Sequence, residues 1–177
     1  MLNIRKVKRE KAAILLIYGF ALGTVPHALA DEGPQTAVVQ EVVVVNPLEK
    51  FEGAKELSKE ELKELLAAVG FEGKALRTAW AVAMKESNGR PRAHNGDLST
   101  GDNSYGIFQI NMLGDLGEDR RDKFNLETNK ELFDPVTNAK IAFFMTGGGV
   151  DWSSWKVHPG NNNGERFEQF YMLFPNI

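Results

Sequence analysis

Helical spacing singles out one carboxylate. Leu76, Ala79, Trp80 and Ala83 recur at the three- and four-residue steps of one helix face, and the next steps land on Glu86 and Ser87. A face that buries a tryptophan therefore carries an acid in its last turn. Desolvation disfavours the ionised form of such a group, and so does the partial negative charge at a helix C-terminus. Both effects favour a protonated carboxyl, which is what a general acid needs. The alternatives at this position are a glutamate turned to solvent or paired with Arg90 or Arg92.

A polar stretch follows. Asn95–Asn103 reads NGDLSTGDN, and its Asp97, Asp102 and Asn103 do not match the spacing of a calcium loop. A hairpin or loop with Asx turns is the plainer expectation. Ser104–Asn111 reads SYGIFQIN. Gly106 lets a ligand or another backbone approach closely. Gln109 sits among Ile107, Phe108 and Ile110, so its amide must find backbone or ligand partners. His94 and His158 lack neighbours at ligand spacing, and there is no cysteine, so no metal or thiol chemistry is implied. Gly147-Gly148-Gly149 has no following Lys-Ser/Thr and is not a phosphate loop. No cofactor is implied.

The elements that would position these residues are mostly helical. Ser58-Lys59-Glu60-Glu61 fits a capping box, and Leu62, Leu65, Leu66 and Val69 form one stripe that Gly70 ends. The second helix runs from about Lys74 to Glu86 or Ser87, where Gly89 and Pro91 break it. Asp115–Leu132 is charged and has few apolar anchors, which predicts a loop with one short helix. Asp134-Pro135 opens a helix that is apolar on most sides to Met145, as in a buried central helix. Trp152 and Trp155, three apart, are either both core or one of them lines a groove. Arg166–Phe174 is a short apolar helix candidate.

The N-terminus has the three-part layout of a secretory leader. Basic residues fill Met1–Lys11, an apolar run spans Ala12–Gly23, and Ala28 and Ala30 have A-x-A spacing. The run is short for a membrane span, which needs about 20 residues. Cleavage after Ala30 is expected, with an uncleaved anchor as the alternative, and the product would be secreted, periplasmic or held in the cell envelope of a bacterium. Residues 31–56, with the Val-rich Val38–Val45, read as a linker or edge segment, and 57–177 as the folded domain. With 42% hydrophobic and 25% charged residues most of the chain can fold, and a net charge of −3 gives no case for nucleic acid.

Taken in order, four short marks resemble the lysozyme-like superfamily, which includes the c-type and goose-type lysozymes and the soluble lytic transglycosylase domains. They are Glu86-Ser87, then Ser104-Tyr105-Gly106-Ile107-Phe108-Gln109-Ile110-Asn111, then the Asn138-Ala139 pair, then Trp152-x-x-Trp155. The resemblance covers roughly Ser58–Trp155. It implies a mostly α (α+β) fold, a helical domain with a small β-hairpin flanking a substrate cleft. It also implies that Glu86 is the catalytic acid acting on β-1,4 links of peptidoglycan. Ser104, Tyr105 and Gln109 would lie along the groove, with Asn111 and Trp152 completing the substrate-binding set.

Two departures matter. In c-type lysozymes the residue before Tyr-Gly is an Asp that serves as second carboxylate, and here it is Ser104. Retaining hydrolysis by that route needs two carboxyl groups about 5–5.5 Å apart. If the segment is extended, Asp102 shares a face with Ser104 and becomes a candidate second carboxylate for an inverting scheme. The Tyr-Asn-Ala-Gly element of many transglycosylases is not clearly present; Tyr171 is a spatial candidate only. The expectation is a monomeric, exported lytic transglycosylase with a single catalytic glutamate. The alternatives are a hydrolase using water, a non-catalytic glycan-binding module of the same fold, and an inhibitor or adaptor using Val38–Val45.

Overall fold

The computed structural model describes residues 46–155 and 162–175. The leader, the Val38–Val45 run and His158 lie outside the described residues. The described residues form five α-helices and a three-stranded antiparallel sheet. This is the mostly helical α+β architecture with a small sheet that was expected.

Helix α1 (Lys59–Val69) begins on the capping box. The Ser58 hydroxyl accepts from the Glu61 amide at 3.1 Å, and the Glu61 carboxylate accepts from the Ser58 amide at 2.8 Å. Its stripe buries Leu62, Leu65 and Leu66, and Gly70 closes it in the left-handed region at φ 120°. The core begins before this helix, since Leu48 and Phe51 are already buried in it.

Helix α2 (Gly73–Ser87) is the central element. Every residue from Ala79 to Met84 is buried. One flank lies on α1, where the Trp80 indole donates to the Lys59 carbonyl at 3.0 Å. Another lies on α5 (Asn162–Met172), where Arg77 donates to the Tyr171 carbonyl at 2.7 Å and covers the Tyr171 ring. Asn88, at φ 58°, ends the helix.

Strands β1 (His94–Asn95), β2 (Ser104–Tyr105) and β3 (Ile110–Asn111) follow, with Asn95 opposite Ser104 and Ser104 opposite Asn111. The expected hairpin is thus extended by a third strand. The loop between β1 and β2 is built on Asx turns: the side chain of Asn95 accepts from Asp97 N at 3.3 Å, and that of Asp97 from Ser99 N at 3.1 Å.

The charged segment after β3 departs from expectation. It is not mainly loop but an eleven-residue helix, α3 (Gly114–Phe124), followed by a 3-10 turn, Asn129–Phe133. Its only buried residue is Gly117, packed so close to the Met112 carbonyl that any Cβ would collide. A helix anchored through a glycine backbone shows no apolar stripe.

Helix α4 (Pro135–Met145) is N-capped by Asp134, whose carboxylate accepts from Thr137 N at 2.8 Å. Asn138, Ala139, Ile141 and Ala142 are buried as expected, but Phe144 is 59% exposed. Its ring meets Phe124 edge-on and the Lys123 ammonium. The apolar periphery of α4 therefore does not translate into burial on every side.

Candidate active site

The site is organised by a turn, 105–109, whose four leading carbonyls are each held by a side chain. Tyr105 O accepts from the Asn138 amide at 3.0 Å. Gly106 O accepts from the Gln109 side chain at 2.9 Å. Ile107 O accepts from the Ser87 hydroxyl at 2.8 Å, and Phe108 O from the Trp155 indole at 2.7 Å. Asn138 also accepts from Phe108 N at 2.9 Å and donates to Leu132 O at 2.9 Å, so a wholly buried amide spends both its donors and one acceptor site on backbone. Gly106, at φ 75°, passes so close to Asn138 and the Leu132 carbonyl that only glycine fits. Its expected close approach is thus to protein backbone. Gln109 takes φ 49° and donates also to Ala93 O at 3.2 Å, which meets the expectation of backbone partners.

Ser87 couples this turn to the end of α2. Its single proton goes to Ile107 O rather than to Ala83 O at 3.1 Å, the longer contact within its own helix. The preceding residue, Glu86, faces a cleft of about 540 Å³. Asp102, Ser104, Gln109, Ile110 and Asn111 line it from the sheet, Arg120 from α3, Met145 from α4, and Ser154, Trp155 and Arg166 from the C-terminal part.

The Glu86 side chain is 22% exposed, and its partner is Lys85, whose ammonium lies 3.0 Å from Oε1. Neither Arg90 nor Arg92 takes that place; Arg90 donates to Ser87 O at 2.9 Å. The Lys85 side chain is only 7% exposed and also donates to Trp155 O at 3.2 Å. Across the cleft lining, Asp102 accepts from the Ser104 hydroxyl and from the Asn95 amide, the latter at 2.7 Å. Asp102 and Ser104 do share a face, as an extended segment requires.

A family model described as a lysozyme-like domain matches residues 63–157, more than half of the chain. The chain belongs to this lysozyme-like family. No curated protein and no solved structure matches it. Membership supports a peptidoglycan-related function, the cleavage or binding of its glycan.

Within the lysozyme-like domain, Glu86, Asp102, Ser104, Gln109 and Asn111 come together in one cleft. Two of the residues read from the sequence point elsewhere. The Tyr105 ring lies 4.4 Å from His94 and 5.4 Å from Phe133, centre to centre. Trp152 packs on Phe71 and Phe108 and donates to Gly149 O at 2.9 Å, leaving Trp155 as the tryptophan that reaches the cleft. Lys85, Arg120 and Arg166 were not legible as site residues. Lys85 precedes Glu86, and neighbours on a helix point about 100° apart, so the stripe that reveals one hides the other. Arg120 sits on a helix whose sequence carries charge without pattern, and Arg166 is a charged residue on the helix whose apolar residues, Phe167, Phe170 and Tyr171, were what its sequence showed.

Proposed function

We propose that this chain is an exported lytic transglycosylase that cleaves the β-1,4 bond between MurNAc and GlcNAc in peptidoglycan. The observation that carries the reading is Glu86, which opens from the end of a buried helix onto a cleft whose other wall is the polar edge of the sheet. Glu86 delivers its proton to the glycosidic oxygen, and the bond from that oxygen to C1 of MurNAc breaks. The Lys85 ammonium stands beside the carboxylate left behind. The C6 hydroxyl oxygen of the same MurNAc bonds to C1, its proton returns to Glu86, and a 1,6-anhydro end results. Ser104, where c-type lysozymes carry an acid, supports a mechanism with one glutamate.

Hydrolysis is the second reading, favoured by one observation: Asp102 lines the same cleft as Glu86. Its carboxylate accepts two hydrogen bonds and retains lone pairs for a water. Against it, both donors already hold that carboxylate to the sheet.

Incubating the purified protein and its Glu86→Gln form with peptidoglycan, and identifying the released muropeptides, tests both. Anhydro ends are expected from the native protein, and a drop of roughly 10²–10⁴-fold in the variant. Reducing ends would mean hydrolysis. Binding without release would leave a glycan-binding module, and equal release by Glu86→Gln would remove that residue from the mechanism. Export rests on the N-terminal leader pattern, and the N-terminal sequence of the exported product, expected to begin at Asp31, checks it.

A further inference from the structure

The charges in the cleft are not evenly partnered. Of its two carboxylates, Glu86 is paired with Lys85, and Asp102 is held by Asn95 and Ser104. That leaves two guanidinium groups. Arg120 is half-buried on α3 and donates to the Asn111 carbonyl; among the described residues it has no carboxylate partner. Arg166, exposed on α5, lies over the Phe170 ring at 5.9 Å and likewise has no carboxylate partner among the described residues. The asymmetry is physical as well as numerical. Burial presses the Arg120 guanidinium below its ordinary pKa, a cost that one neutral carbonyl offsets only in part. A planar guanidinium with donors to spare is suited to a carboxylate, which it grips with two parallel bonds. The protein as a whole is acidic, at −3, so bulk charge does not explain cations gathered here.

We infer that Arg120 and Arg166 form a subsite for a carboxylate-bearing substituent of the glycan, so that the cleft takes an acidic sugar strand in preference to a neutral one. The inference rests on the glycan reading of the cleft and adds its charge selectivity. The carboxylate has two sources in peptidoglycan, the lactyl group of a stem-free MurNAc and the peptide stem. The chemistry recognised is the same in both. Arg166 lies beyond residues 63–157, so this half of the subsite is outside the part of the chain that the family model matches.

The test uses the full chain carrying Glu86→Gln, so that ligands stay intact. Calorimetry compares three soluble strands of equal length. One is stem-free with lactyl carboxylates, one is the same strand with those groups converted to amides, and one bears peptide stems. The acidic strands are expected to bind about tenfold more tightly than the amidated one at low salt, with the difference shrinking as salt screens the charges. Whichever acidic strand binds better identifies the source. Arg166→Gln, at an exposed position, lowers the preference about threefold. Arg120→Lys, which keeps the charge but not the fork, lowers it further. Glu86→Gln frees Lys85, so the background is common to every comparison, and a preference surviving the double variant Arg120→Gln/Arg166→Gln, which removes both cations, would belong to Lys85 and overturn the inference. Equal affinity for acidic and amidated strands would overturn it too, while leaving the glycan reading intact. Failure to bind any strand would sink both, and binding without muropeptide release from the native protein would sink only the catalytic reading.

Discussion

Asn138 shows how one buried side chain decides the shape of a site it never faces. Its amide donates to Tyr105 O and Leu132 O and accepts from Phe108 N, and its side chain is fully buried. Asn138→Ala strands two buried backbone groups, Leu132 O and Phe108 N, and takes one bond from Tyr105 O, each buried loss costing about 1–3 kcal/mol unless a water enters the space. A loss of about 3 kcal/mol is expected, or roughly 10 °C in thermal midpoint for a unit of this size. Asn138→Asp is expected to be no better, since it sets an acceptor against two carbonyls. Thermal unfolding of both variants checks this, and midpoints within about 2 °C of the native protein would refute the clamp. The role was half legible. The family resemblance marked Asn138-Ala139, and Gly106 announced a close approach, but no spacing rule links residues 32 apart. Lys85 was hidden for a different reason, being on a neighbouring arc of the helix from the stripe that revealed Glu86.

At the scale of elements, helices with a stripe were legible and helices held by backbone were not. The capping box and stripe of α1 stand where the sequence puts them, and α2 ends where the stripe meets Glu86 and Ser87. The buried anchor of α3 is a glycine, which leaves no periodic signal. The cap of α1 also has a pH signature. Hydrogen bonds from the Ser58 amide and hydroxyl hold the Glu61 carboxyl below its ordinary pKa, outweighing a small opposing effect of burial. A folded-state pKa below the unfolded one, about 4.3, means stability that is present above that value and lost as pH falls through the folded value. Glu61→Gln is therefore expected to flatten the fall of thermal midpoint with acid below about pH 5. Ser58→Ala should cost about 1 kcal/mol at neutral pH by removing the cap itself. Parallel acid profiles for native protein and Glu61→Gln would refute the assignment.

At the scale of the whole molecule, the cleft draws on stretches far apart in the chain: the end of α2, the sheet, α3, the end of α4 and the C-terminal part. These meet because Ser87, Asn138 and Trp155 each fasten one helix or turn to the carbonyls of 105–109. A ligand in the cleft touches all of them at once, while α1, on the other flank of α2, contributes nothing to it. Binding should therefore tie separate segments together rather than stiffen one loop. With Glu86→Gln protein and glycan at about 100 times its dissociation constant, linkage adds about 2.7 kcal/mol, or roughly 5–10 °C in thermal midpoint. Hydrogen exchange then distinguishes where that energy appears. Amides of 102–112 and 153–155 open locally in the free protein if any part of the site does, because their bonds lie in short turns and between two-residue strands rather than in helix interiors. They should slow on binding, together with the amides around Arg120. Amides in the middle of α1 should change only through global stability, and so slow only where they already exchange by complete unfolding. Protection confined to the sheet, with no effect near Arg120 or Trp155, would mean that the glycan rests on one wall and the cleft is not a single seat.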